Sequence, residues 1–179
     1  ETEVVRDGIT SNCYIDYPQL KIRLAFVDSV YQTAGFNQDT IDWTSDILSN
    51  LPTGYKVVFI SHEPTRWELI STASGSMPGS TEMEAVLTAH QSVICGWIHG
   101  HTHFDNVSYV MTFPEISITC GKPDQYPSAT FPTGATAPAR TIGTVSQDAW
   151  DAVLILPSEN KFEFIRFGAG SSRTVPFRQ

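Results

Sequence analysis

Apolar residues fall along this chain in short blocks separated by turn-forming residues. Cys13–Tyr17 and Leu20–Asp28 predict two strands interrupted at Pro18, which has no backbone N–H to give a ladder. The second block alternates at first and then becomes almost wholly apolar, the pattern of a strand covered on both faces. Tyr55–Ile60 and Val93–Ile98 are apolar runs of the same kind. Between these blocks the period shifts from two to 3.6. Asn37–Leu51 puts Ile41, Thr44, Leu48 and Leu51 on one helical face, with Asp39 and Asp42 near the positive N-terminal end, and Pro52-Thr53-Gly54 stops it. Thr81–His90 carries a second stripe of Met83, Val86 and Leu87, and Thr81 with Glu84 reads as a capping box at its start. Strand, helix and strand in that order predict a right-handed crossover between parallel neighbours.

Beyond Ile98 the blocks shorten. Val107–Met111 and Glu115–Thr119 alternate and predict an antiparallel pair, while Trp150–Leu156 and Lys161–Phe167, flanking Ser158-Glu159-Asn160, predict a terminal hairpin. Residues 1–12 are polar and show no period. Tyr31–Phe36, Thr65–Gly79 and Gly121–Gly143 read as loops, the second with a short helix around Trp67-Glu68-Leu69-Ile70. The third is rich in proline and glycine and is long for a mere connection, which marks functional or disordered loops. No repeat and no second apolar centre interrupts the chain, so 179 residues make one domain, 1–179, of α/β class.

Composition narrows the function. A hydrophobic fraction of 41% suffices for a packed core. A net charge of −8 argues against a nucleic-acid partner, whose phosphate backbone needs a basic surface. It leaves a phosphate substrate open, because bound metal ions supply positive charge locally. The three cysteines have no metal-type spacing; Cys95 sits in an apolar run as a small buried hydrophobe, and a Cys13–Cys120 pairing would need the fold to bring them together. No apolar run is long enough to span a membrane. The chain starts at Glu1 rather than Met, which we read as a removed N-terminus, so neither export nor compartment is legible.

The histidines change the picture. Three of the five lie in Trp97-Ile98-His99-Gly100-His101-Thr102-His103-Phe104-Asp105, straight after an apolar strand. On an extended backbone, side chains two apart point the same way, so His99, His101 and His103 would converge, and imidazole is the commonest protein ligand for Zn, Fe, Ni or Cu. Val57-Val58-Phe59-Ile60-Ser61-His62-Glu63-Pro64 repeats the design of a buried strand ending in histidine. In open α/β sheets, ligands bind beyond the carboxyl ends of the strands. Glu63, between His62 and Pro64, faces either substrate or solvent on this reading.

Ser61-His62-Glu63-Pro64 followed by Gly100-His101-Thr102-His103 resembles the last two signatures of the calcineurin-like metallophosphoesterases. Ile22-Arg23-Leu24-Ala25-Phe26-Val27-Asp28-Ser29 resembles the central strand before them, and Arg166-Phe167-Gly168-Ala169-Gly170 an ending of some bacterial members. The resemblance implies a β-sandwich flanked by helices and two divalent or trivalent metal ions (Mn, Fe or Zn). The activity implied is hydrolysis of phosphomonoesters or phosphodiesters. It implies that His62 and His101 bind one metal and His103 the other. His99 matches no ligand of that pattern and is read as either supporting the ligands or exposed, and Asp105 as either supporting them or part of a polar turn after the motif. No catalytic acid or base is assigned.

The departures are as informative. The family's Asp-x-His, Gly-Asp-x-x-Asp and Gly-Asn-His signatures are absent; Asp28-Ser29-Val30 is not the first of them. The chain thus resembles the C-terminal half of such an enzyme, a sandwich made incomplete by loss of its N-terminal half. It is expected to be a feeble catalyst alone, and to expose an apolar face that the missing half or another copy covers. Two alternatives stay open: a mononuclear zinc site at His99, His101 and His103, and a non-catalytic half-fold retained for binding or assembly.

Overall fold

The computed structural model describes residues 3–29, 35–66, 77–109, 111–119, 121 and 134–178. One sheet has seven strands: β1 (Val4–Arg6), β2 (Cys13–Tyr17), β3 (Ile22–Val27), β4 (Lys56–Ser61), β5 (Ile94–His99), β6 (Asn106–Ser108) and β7 (Glu115–Ser117). Their order across the sheet is β1-β2-β3-β4-β5-β7-β6. β3, β4, β5 and β7 run parallel, and the strands outside them pair antiparallel. A second sheet holds β8 (Ala149–Leu156), β9 (Lys161–Gly168) and β10 (Arg173–Pro176) in the order β10-β9-β8.

Helix α1 (Gln38–Ser49) joins β3 to β4, and α2 (Ser80–Ala89) lies between β4 and β5. α1 starts where the Asn37 side chain accepts the Thr40 N–H at 2.8 Å. Its buried stripe of Thr40, Ile41, Thr44, Ile47 and Leu48 packs with Met83 and Leu87 of α2 on one face of the large sheet, over Ala25, Val57, Phe59 and Trp97. The opposite face presents Ile22, Val58, Cys95, Ile98 and Ile116 to Phe162, Phe164, Val175 and Phe177. A Cβ at position 96 would come within 2.9 Å of the Phe162 ring, so Gly96 is what lets the two sheets approach there. The Cys95 thiol lies in this layer, and burial pushes its pKa up to about 12. The architecture is α/β: helices, a mixed sheet, and a smaller antiparallel sheet stacked as layers.

Several expectations need correction. The polar, aperiodic start of the chain holds a strand within its described residues 3–12, because β1 pairs β2 with Val4 opposite Ile15. Thr81 and Glu84 do not form a capping box. The cap of α2 lies two residues earlier, at Gly79 with φ 72°, and Glu84 instead pairs with Arg66 at 3.1 Å. The terminal hairpin gains a third strand, β10, which its alternation of Arg173, Thr174, Val175 and Pro176 was too short to announce. Cys120 and the helix expected around Trp67-Glu68-Leu69-Ile70 lie outside the described residues.

The outer face of the small sheet is apolar: Trp150, Leu154, Ile165 and Phe167 are exposed, and the Trp150 and Phe167 rings stack at 4.2 Å. At its β8 edge a groove of 240 Å³ opens between the sheets, with Leu20, Ile22 and Leu24 facing Val153–Leu156.

Glu115 on β7 is buried under Thr65, whose N–H and hydroxyl it accepts at 2.5 and 2.7 Å. Burial pushes its carboxyl up to about 7, with the Thr65 hydrogen bonds and Arg66 pulling the other way. Its pKa is raised on folding, so the native state binds the proton more tightly. Stability is therefore gained as pH falls through about 7 towards the ordinary value of 4.5, the reverse of a paired carboxylate. The urea midpoint of the wild type relative to Glu115→Gln should rise across that interval, by an amount worth about 1–3 kcal/mol. A difference that falls on acidification would refute the assignment.

Candidate metal centre

Parallel pairing of β4 and β5 sets Ser61 opposite His99, so both strands end at one edge and release their following residues side by side. The Gly100 N–H donates to the His62 carbonyl at 3.1 Å and ties the two loops together. The His62 and His101 rings meet edge to face, centroids 5.3 Å apart.

Glu63 completes the group. Its side chain turns inward and is 2% exposed. Oε1 lies 3.1 Å from His101 Nδ1 and 4.0 Å from His62 Nε2. One ligand atom from each of His62, Glu63 and His101 lies within 4.8 Å of the others. Oε2 is buried and meets no hydrogen-bond partner among the described residues. The backbone around Glu63 is fixed from below. Trp97 Nε1 donates to Ser61 Oγ at 2.8 Å and to the Glu63 carbonyl at 3.2 Å, and the Ser61 hydroxyl donates to the same carbonyl.

The other expected residues are not part of this group. His101 and His103 have φ of 58° and 60°, so the chain beyond His99 is not extended and the three alternating imidazoles do not converge by strand geometry. His103 stands outside the three-residue group; its carbonyl accepts the Thr119 hydroxyl at 3.3 Å. His99 ends β5, buried, with Nδ1 3.1 Å from the Gly100 carbonyl. Burial lowers its pKa to about 4, with the Gly100 hydrogen bond opposing and His101 and His62 adding to the drop. Asp105 is occupied by arginines: Arg166 Nη2 donates to its two oxygens at 2.8 and 2.9 Å, and Arg173 lies 3.1 Å away. Arg166 is thus committed to a buried ion network.

Two imidazoles and a carboxylate form a donor set suited to Zn, Fe or Mn, since imidazole favours the later metals and carboxylate the harder ones. The unsatisfied Oε2 fits a cation, because buried polar atoms without partners in native proteins call for an ion, water or functional explanation. Sequence reading left Glu63 undecided between substrate and solvent; the structure buries it. Only the packing of Trp97 beneath the loop shows that, and no spacing rule carries it.

No protein-family model matches the sequence, and no curated protein matches it. Solved structures do. A dimetal phosphatase from Danio rerio superposes with a TM-score of 0.53 at 16% identity, over 80% of this chain and 39% of that one. GAP50, described as the anchor in the inner membrane complex of Plasmodium, superposes with a TM-score of 0.60 at 11% identity, over 100% of this chain and 55% of its own. At these identities the likeness is one of fold. The chain spans 39% and 55% of these structures, so its α/β layers correspond to part of the fold of each.

Proposed function

We propose that residues 1–179 are the C-terminal part of a calcineurin-like phosphoesterase domain that hydrolyses phosphate monoesters or diesters. The observation that supports this reading best is the meeting of His62 and His101 at the carboxyl ends of adjacent parallel strands, within a fold shared with a dimetal phosphatase. In the complete enzyme His62 and His101 serve one metal and His103 the other, the metals being Mn, Fe or Zn. A metal pair supplies positive charge to a phosphoryl oxygen and acidifies an attacking water. This chain's part is to hold the imidazoles in place. The Gly100–His62 hydrogen bond fixes the spacing of the two loops, and His99, buried at the end of β5, has its Nδ1 3.1 Å from the Gly100 carbonyl. The remaining carboxylate and histidine ligands come from a portion of the fold outside this chain. That portion, or another copy, covers the β8 edge and its apolar groove.

The reading is tested by extending the chain through the upstream reading frame and assaying a nitrophenyl phosphodiester. The extended protein should bind two metals and turn over. The chain of 179 residues should be at least about 10²-fold slower, the low end of what one missing acid–base group costs. His101→Asn in the extended protein should abolish turnover. Equal rates for short and extended chains would refute the incomplete-site reading.

A second reading, a non-catalytic fold retained for binding or assembly, draws support from superposition over the whole chain on a protein described as an anchor. An extended protein that folds, binds no metal and hydrolyses no ester would favour it.

A further inference from the structure

We infer that Glu63 is itself a metal ligand, and that His62, Glu63 and His101 form a one-metal site, complete within this chain, for a divalent ion of the zinc class. The resemblance gives position 63 no such role, and a count of histidines alone leaves this chain two ligands for one metal. The structure adds a third. A tetrahedral ion bound at the usual 2.0–2.2 Å holds its nitrogen and oxygen donors about 3.3 Å apart. The Oε1–Nδ1 and Oε1–Nε2 separations of 3.1 and 4.0 Å bracket that value.

Three further features point the same way. Oε2 is buried without a partner, so the carboxyl is poorly accommodated as a mere structural acceptor. The Glu63 backbone is clamped by Trp97 and Ser61, which sets its side chain without a ligand's help, as a binding site requires. The group is also open on one side: the His62 side chain is 57% exposed and that of His101 32%, against 2% for Glu63. Three protein ligands with an open fourth position is the arrangement of catalytic rather than structural zinc sites, and two histidines with one glutamate is a known form of it.

The assignment stands apart from the phosphoesterase reading, because metal binding and ester hydrolysis are separate measurements. The test uses the 179-residue chain, stripped of metal and titrated with cobalt(II). We expect one cobalt per chain, the visible bands of a four-coordinate ion, and displacement by zinc. Glu63→Gln keeps the shape and removes the anionic donor. It should weaken cobalt binding by more than about 100-fold, beyond the 10–100-fold typical of a residue that only orients a ligand. His62→Asn, at the exposed side of the group, should also weaken binding while the fold is untouched by circular dichroism. A Glu63→Gln protein that binds cobalt within 100-fold of wild type, with unchanged bands, overturns the proposal and makes Glu63 a partner of His101. Should that variant not fold, X-ray absorption on the zinc-loaded wild type decides. Two imidazoles per zinc are expected, and three, or none, would refute the site.

Discussion

Trp97→Ala should destabilise the protein by about 3–5 kcal/mol, the usual cost of truncating a large buried aromatic. The side chain is fully buried, against Phe59 at 5.0 Å and edge-on to Phe36 at 5.8 Å. Its loss opens a cavity where the helices meet the sheet and removes the indole N–H that holds Ser61 and the Glu63 carbonyl. Two consequences can be separated with Trp97→Phe. It restores most of the packing and none of the hydrogen bonding, so it should recover stability to within about 1–3 kcal/mol of wild type, the cost of unmet polar groups and residual space. Cobalt binding should recover less than stability, because the clamp beneath Glu63 stays broken. Urea denaturation alongside metal titration checks both. A Trp97→Ala loss below about 1 kcal/mol would mean the layers do not pack as described.

Arg166→Leu should cost about 3–5 kcal/mol, by stranding buried charge rather than by losing volume. Arg166 links the small sheet to the loop after β5. Its guanidinium donates to Asp151 at 2.7 and 3.0 Å, to Asp105 at 2.8 and 2.9 Å, and to the Ala169 carbonyl at 2.9 Å. Its side chain is 1% exposed, with Asp151 at 4% and Asp105 at 11%. Without it, among the described residues, the two buried carboxylates are left with Arg173, whose Nη1 lies 3.1 and 3.4 Å from them, and Asp105 also keeps the Thr119 N–H at 3.1 Å. Arg166→Lys should rescue little, since an ammonium cannot reproduce the planar fork that meets both acids. The combined replacement of Arg166, Asp105 and Asp151 by apolar residues should be milder than Arg166→Leu alone, because it removes the stranded charges as well. Thermal and urea unfolding of these variants measure the ordering; a triple variant no more stable than the single one would contradict the ion-network account.

How much of this was legible follows the physics of each element. β2 could be read to the residue, and β3, β4 and β5 to within two residues at either end, because strands buried on both faces need unbroken apolar runs. α1 was legible because Asn37 marks its start and a 3.6-residue stripe its length. β1 was not, since Val4, Val5 and Arg6 sit exposed at a sheet edge and carry no burial pattern. α2 misled because Thr81 and Glu84 have the right spacing for a cap while the left-handed turn at Gly79 had already opened the helix. At the candidate site, the pairing of His62 with His101 follows from parallel strands ending together. The burial of Glu63 does not, because it depends on Trp97 from another strand. That His103 stands outside the group turns on backbone torsions that sequence periodicity assumes to be extended.

Those torsions have a thermodynamic meaning. For a residue other than glycine, a left-handed conformation costs roughly 1–2 kcal/mol. His101 and His103 both occupy it, at φ 58° and 60°. Glycine at either position would relieve the backbone and remove an imidazole, so stability and metal-donor chemistry are opposed there. It follows that alanine scanning would confound two effects at these positions, whereas asparagine, which tolerates the left-handed region, removes the imidazole with the backbone undisturbed.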